Sequence, residues 1–280
     1  MNLSEARRLA AERLRVFGVE FPEREAELLL VGAAGISRSF YAAHPSLPLQ
    51  DDAARRLWGM TERRCTGEPL QYILGSWDFY GRSLEVVPGV LIPRSDTETL
   101  VEQALSFLPP AGRFLDWGTG SGCITLALLA ERPDLSAVAV DADPPALSLA
   151  WRNLKKHGVL SRCFLWHSRS PEDIPASDGE FDLVVSNPPY IRSSEICGLP
   201  REVRKEPLSA LDGGEDGLRW YMALFGWAPA KLRKGGRLLF EIGVGEQGEQ
   251  LVQIAPRSLQ FEGIFHDLSR KPRAVSWLRV

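Results

Sequence analysis

Four consecutive residues, Asn187-Pro188-Pro189-Tyr190, follow an apolar run in VVSNPPYIR (184–192). Neither proline can donate a backbone N–H, so a sheet cannot continue through them and the chain must turn stiffly. The turn carries two oxygen acceptors, the Asn187 side-chain carbonyl and the Pro188 backbone carbonyl, whose direction the prolines fix. Two acceptors at a fixed separation suit the two hydrogens of a planar –NH2 group. The Tyr190 ring can flank a flat amide or base. The lone pair of an amide nitrogen is delocalised. Activating it is therefore a matter of holding it and favouring its pyramidalisation, and no strong base is required.

A second chemical stretch is LDWGTGSG (115–122). Gly118, Gly120 and Gly122 allow a tight turn after a strand, and with Thr119 and Ser121 they bring main-chain N–H groups close to a ligand at a helix N-terminus. The G-x-G-x-G spacing is tighter than the dinucleotide fingerprint, and no Gly-Lys-Ser/Thr follows. Asp141 stands nineteen positions after Gly122. At the end of the next strand, its carboxylate can accept both hydroxyls of a ribose. Together these features predict an adenosine-type cofactor. Asp116 can hold an ammonium group and would repel a phosphate, which favours S-adenosylmethionine over NAD.

The elements that must place these residues follow from the patterning. Strands are expected at 113–117, 137–141, 162–166, 181–186 and 236–242, with helices at 122–131, 144–157 and 217–233. Such alternation predicts an α/β fold with a mostly parallel sheet covered on both faces. FDLVVS (181–186) reads as its central strand, and FEGIFHDL with AVSWLRV as two further strands at an edge. In an open parallel sheet, ligands gather at the carboxyl ends of the strands, so the proline corner and the glycine turn should line one crevice. Residues 1–66 read as a small helical domain. Ser4 would cap a first helix with Leu9, Leu14 and Phe17 inward. Pro22 would open a second, and a third would run over 51–64 with Leu57, Trp58 and Met60 inward. Residues 67–96, rich in glycine, aromatic and β-branched residues, read as a β-hairpin linker, and 97–280 as the α/β domain.

The chain has 280 residues, 44% hydrophobic and 25% charged, with a net charge of −3. That balance gives no broad electrostatic reason to bind nucleic acid or an acidic membrane. No apolar run approaches the roughly 20 residues that cross a bilayer, and MNLSEARRLAAERL does not read as a signal peptide. Cys65, Cys123, Cys163 and Cys197 are scattered, as are the four histidines, so neither a metal site nor a disulfide framework is expected. A reducing cytoplasm and a monomer are the simplest expectations. Arg7-Arg8, Arg55-Arg56 and Arg63-Arg64 are read as solvated helix faces, and His44, His157 and His266 as surface or packing residues. Trp77 and Phe79 are read as core or as facing the cleft. Asp212-Gly213-Gly214-Glu215-Asp216 is read as a solvated acidic loop or as part of the crevice wall.

LDWGTGSG, VAVD and SNPPYI resemble class I S-adenosylmethionine-dependent methyltransferases with an Asn-Pro-Pro-Tyr motif. TGEPLQYILG (66–75), VLIPRSDTETLVE (90–102) and EPLSALDGGEDGL (206–218) narrow the resemblance to the protein-glutamine methyltransferases that modify peptide chain release factors. It runs from about residue 66 to the end and implies a Rossmann-like methyltransferase domain behind an all-helical substrate-docking domain. It further implies methyl transfer to the side-chain amide nitrogen of the glutamine in the Gly-Gly-Gln loop of class I release factors, leaving S-adenosylhomocysteine. Asn187, Pro188, Pro189 and Tyr190 would bind that glutamine. Gly118, Thr119, Gly120, Ser121, Gly122, Asp141, Arg169 and Asn187 would hold the cofactor, with Arg94 and Thr97 bordering it. Two positions depart from the family pattern. Ser95 replaces a proline. His167-Ser168-Arg169 replaces an acid followed by an aromatic residue, which leaves Arg169, Trp166 or the backbone to hold the adenine. The alternatives are a ribosomal-protein glutamine, a flipped adenine amine in nucleic acid, and a non-catalytic cofactor-binding protein.

Overall fold

Asn2, not Ser4, caps the first helix, α1 (Leu3–Val16): its side-chain oxygen accepts the Glu5 N–H at 2.8 Å. The computed structural model describes residues 1–280. Contacts divide the chain into one unit of Met1–Ser76 with Pro200–Lys205 and another of Trp77–Leu199 with Glu206–Val280.

In the first unit α1 buries Leu3, Ala6, Ala10 and Leu14 at helical spacing. Leu9 is half-buried, and Phe17, expected inward, is exposed beneath the Arg13 guanidinium. Pro22 opens α2 (Pro22–Ala34), which Gly35 ends in the left-handed region. A short α3 (Arg38–Ala43), capped by Ser37, went unanticipated because it has only six residues and one buried side chain. In α4 (Asp51–Cys65) Leu57 is buried, while Trp58 and Met60 are only half-buried. Arg64 is not solvated. Its guanidinium is buried on Glu25 of α2, at 2.6 and 3.2 Å, and Glu202 lies 3.8 Å away. Charge pairing offsets its desolvation. The expected hairpin linker begins instead as α5 (Leu70–Leu74), held between Pro69 and left-handed Gly75 and burying Leu70, Tyr72 and Ile73. Only β1 (Ser76–Phe79) and β2 (Arg82–Glu85) form the hairpin.

The second unit begins with that hairpin's inner residues; Phe79 and Leu84 are core, so Phe79 does not face a cleft. Then come α6 (Glu98–Phe107), β3 (Arg113–Trp117), α7 (Cys123–Glu131), β4 (Ser136–Asp141), α8 (Pro144–Lys156), β5 (Cys163–His167), β6 (Phe181–Ser186), α9 (Arg219–Lys231), β7 (Leu232–Glu241), α10 (Gln247–Ile254), β8 (Leu259–His266) and β9 (Pro272–Arg279). The strands form one sheet in the order β5-β4-β3-β6-β7-β9-β8. The first five are parallel, while β9 and β8 run antiparallel at one edge. Every residue of β6 is buried, as its unbroken apolar run requires of a central strand. One apolar cluster joins α6 and α7 to one face of the sheet; the other joins α9 and α10 to the opposite face.

Asn153 of α8 is fully buried and ties the hairpin to the glycine turn. Its Oδ1 accepts the Glu85 N–H at 2.8 Å, and its Nδ2 donates to Glu85 O at 3.1 Å and Ser121 O at 2.9 Å. Truncation would leave a buried N–H and two carbonyls unpaired. We expect Asn153→Ala to destabilise the protein by about 2–4 kcal/mol, read as a lower urea midpoint of the second unit at unchanged slope.

Candidate active site

The glycine turn leaves β3 through three left-handed residues, with φ of 75° at Gly118, 58° at Gly120 and 79° at Gly122. Gly122 also lies so near α8 that a Cβ there would meet Ala150 at 3.1 Å. The N–H groups of Gly118 and Thr119 both donate to Val140 O at 2.9 Å, fastening the turn to the end of β4. Asp141 closes the link. Its Oδ2 accepts the Gly120 N–H at 2.7 Å and its Oδ1 the Asp143 N–H at 2.9 Å. Burial raises its pKa, and these two N–H groups oppose the rise. Each oxygen keeps lone-pair capacity for a ligand hydroxyl.

Asp116 does something other than the sequence suggested. It is fully buried, and its Oδ2 accepts the hydroxyls of Thr119 (2.8 Å) and Thr125 (2.7 Å) while Oδ1 has no partner. Burial pushes its pKa up to about 6. It braces the turn from behind and presents nothing to a ligand ammonium.

The proline corner emerges beside this turn. Ser186, the last residue of β6, is in register with Trp117 of β3 and Phe240 of β7, and its hydroxyl donates to Trp117 O at 2.7 Å. A Cβ on Gly118 would lie 3.9 Å from Asn187 O. Two segments far away in sequence clamp the corner. Ile191 N–H donates to Leu211 O (3.0 Å), Gly213 N–H to Ile191 O (2.8 Å), and Ser193 N–H to Gly214 O (2.9 Å). The Gln247 amide donates to Tyr190 O at 3.3 Å and to Gly217 O at 3.2 Å, and its carbonyl accepts the Gly243 N–H at 2.8 Å. Thus 212–216 is a structural wall of the corner, with Glu215 and Asp216 exposed on its outer side.

A cavity of about 430 Å³ opens here, within the usual range for small-ligand sites. Of the residues singled out from the sequence, it reaches Gly118, Thr119, Gly120, Ser121, Asp141, Arg169 and Asn187, together with Pro189, Arg94 and Thr97. Gly122 lies outside its lining. Pro188 is buried and Tyr190 half-buried, and neither belongs to the cavity lining; the Tyr190 ring packs beside Gly243, whose absent Cβ would meet it at 3.3 Å. At the end of β5, Ser168 N–H donates to Asp141 O at 3.1 Å and Arg169 stands exposed on the rim. Trp166 is not part of the lining; its indole N–H donates to Asp173 O at 3.3 Å. Sequence reasoning missed Trp117 and Trp220, which line the apolar side with ring centroids 5.2 Å apart. It missed Glu206 too: this buried carboxylate accepts the Ile92 N–H at 3.0 Å and pairs with Arg94. Its place in EPLSALDGG was the available signal. Gln247 and Glu241 had none, because their roles depend on which strands are neighbours.

Comparison with known proteins sharpens this geometry. Residues 5–75 match the family model described as PrmC N-terminal domain, and 95–198 the methyltransferase small domain. A protein of Cereibacter sphaeroides named release factor glutamine methyltransferase is 38% identical over 99% of this chain and 98% of its own. One of the same name from Geobacter sulfurreducens is 44% identical over 82% and 80%. This chain belongs to the release factor glutamine methyltransferase family. A solved methyltransferase of Pyrococcus furiosus (TM-score 0.51, 17% identity, 70% of this chain and 87% of that one) shares the fold. So does the hMettl16 catalytic domain (TM-score 0.56, 14%, 85% and 84%). Within the release factor glutamine methyltransferase pattern, the corner is the element most dependent on distant support. Alanine at Gly213 would place its Cβ 2.8 Å from Pro189 O and Tyr190 Cα, both backbone. We expect Gly213→Ala to displace the corner, lower methyl transfer at least about tenfold, and leave the far-ultraviolet circular dichroism of the folded chain unchanged.

Proposed function

We propose that this release factor glutamine methyltransferase transfers a methyl group from S-adenosylmethionine to the side-chain amide nitrogen of the Gly-Gly-Gln glutamine of class I peptide chain release factors. The supporting observation is the meeting of the glycine turn and Asn187 in one cavity at the carboxyl ends of β3 and β6. The donor set fits the cofactor. Main-chain N–H groups of the turn, a carboxylate with spare acceptor capacity at Asp141, and a cation at Arg169 match a nucleoside, while Trp117 and Trp220 offer flat apolar surface. Bound there, S-adenosylmethionine supplies an electrophilic methyl group on a sulfonium.

The chain's own part is positioning. The Asn187 Nδ2 donates to Thr97 Oγ1 at 3.3 Å, so its Oδ1 is left to accept a hydrogen of the incoming amide. The Pro188 carbonyl takes the other hydrogen. Holding both favours a pyramidal nitrogen with its lone pair directed into the cavity, and the proton that the methylated nitrogen must lose, held in one of these hydrogen bonds, passes to water. Burial drives the Tyr190 phenol pKa upward, so the ring stays neutral where it packs beside Gly243. The helical unit docks part of the protein substrate, in keeping with its separate family match over 5–75. The relatives' common name speaks against an adenine substrate.

Incubation with a methyl-labelled donor and either a purified release factor or duplex DNA is expected to label the release factor alone. Replacing its Gly-Gly-Gln glutamine should abolish the signal, whereas label on DNA would overturn the substrate assignment. Asn187→Ala should lower turnover by about 2–4 kcal/mol of barrier with cofactor affinity, measured calorimetrically, largely kept; an equal loss of affinity would show that Asn187 serves the cofactor instead.

A further inference from the structure

The turn 267–271 joins β8 to β9, and Leu268 in it is 106% exposed, more than any other large hydrophobic side chain of the chain. A single exposed leucine is ordinary on a protein surface. The mounting of this one is unusual. Asp267 holds the turn from inside. Its N–H donates to Lys271 O at 2.9 Å, and its carbonyl accepts the Arg270 N–H at 2.9 Å. Its Oδ1 accepts the N–H groups of Ser269 and Lys271 at 2.8 and 3.0 Å. Its Oδ2 takes the Arg273 Nε–H at 3.0 Å, and the same guanidinium reaches Asp96 at 2.6 Å. Asp96 precedes Thr97, which lines the cavity. Side chains thus tie the exposed leucine's turn to the wall of the site.

Register fixes where the turn stands. β9 runs antiparallel to β7 with Ala274 opposite Glu241, so the turn leaves the sheet at the carboxyl ends of the parallel strands. That edge also carries the glycine turn and the proline corner. Arg270 occupies the left-handed region at φ 61°, which glycine or asparagine would adopt at lower cost. The nearby acids Asp96 and Asp267 are taken by Arg273, while Arg270 and Lys271, both exposed, make no ion pair. The whole chain carries a net charge of −3, so this is a local positive rim around an apolar point.

We propose that the 267–271 turn is a docking point for the protein substrate, with Leu268 entering an apolar notch and Arg270 and Lys271 meeting acidic groups on its rim. The inference rests on the functional reading above and adds to it a contact outside the cavity. A folded protein whose glutamine loop enters the cavity must lie over this edge of the sheet, and Leu268 stands there with its side chain uncovered. A nucleic-acid backbone would use the two cations and leave the leucine without a partner. The turn is ordered before contact, so little conformational entropy is lost on binding. The cations steer the approach and make it sensitive to salt. None of these groups touches the reacting atoms, so their effect belongs to KM and not to kcat.

Binding and turnover with a purified release factor test the docking point. Leu268→Ala should raise Kd and KM about tenfold, Leu268→Asp should raise them further, and Leu268→Met should stay near wild type. Arg270→Glu combined with Lys271→Glu should raise both about tenfold at low salt, with a smaller difference at high salt. In every variant kcat, the affinity for S-adenosylhomocysteine and the Tm should hold. Amide exchange at 268–271 of the wild-type chain should slow when the release factor is added. Wild-type Kd and KM in Leu268→Asp would overturn the docking point and leave the functional reading standing. A fall in kcat or in S-adenosylhomocysteine affinity equal to the rise in KM would overturn it as well. So would duplex RNA bound through Arg270 and Lys271 with Leu268→Ala indifferent. A release factor that binds the wild-type chain without being methylated would remove the functional reading, and the Kd series would still decide the docking point.

Discussion

A backbone with two missing donors must still be held still. Pro188 and Pro189 contribute no N–H, so the corner that presents the acceptors cannot be fixed by continuing a strand. It is fixed through the groups it does have: the carbonyls of Tyr190 and Ile191 and the N–H of Ile191. Those groups call on Leu211, Gly213 and Gln247, which lie far along the chain. Gly213 and Gly217 lack side chains because the corner's backbone occupies that space: a Cβ at Gly217 would lie 2.6 Å from Tyr190 O. The stiffness of two prolines and the smallness of two glycines are therefore one device.

The sheet supplies the second level of support. Because β6 lies between β3 and β7, Asn187 exits with the glycine turn on one side and Glu241 on the other. Antiparallel β9 then brings Arg273 against that carboxylate's neighbourhood. Asp141 lines the cavity, and three buried carboxylates outside its lining have other tasks. Asp116 braces the turn through two hydroxyls, Asp141 joins β4 to the turn and keeps acceptor capacity, Glu206 holds Arg94 on the cavity wall, and Glu241 is buried at the end of β7. Burial raises the pKa of Asp116, Asp141 and Glu241, so their hydrogen-bond partners decide which charge persists.

The sequence was most legible where one rule acts locally. The alternation of apolar strands and helices placed β3, β4, β5 and β6 to within one residue, and Pro22 marked a helix start, because both signals need no partner. Expectations failed where a neighbour decides. Asn2 rather than Ser4 caps the first helix; Arg64 left solvent because α2 brought Glu25 to it; Asp116 is buried against Thr119 and Thr125. Residues 70–74 became a helix because Pro69 and Gly75 bound a short apolar segment that the aromatic and β-branched content alone reads as strand.

What the sequence determined by itself was the chemistry on offer: a turn of three glycines, a carboxylate one strand later, and a donor-poor corner carrying an amide. Residue type and spacing settle these, since they depend on φ freedom, missing N–H groups and side-chain inventory. Only the tertiary structure decided the polarity and company of those groups. Which end of the Asn187 amide is engaged, which acid braces the turn and which one lines the cavity, and why Gln247 holds the corner all follow from strand order, and strand order is set by burial of whole faces rather than by any short motif.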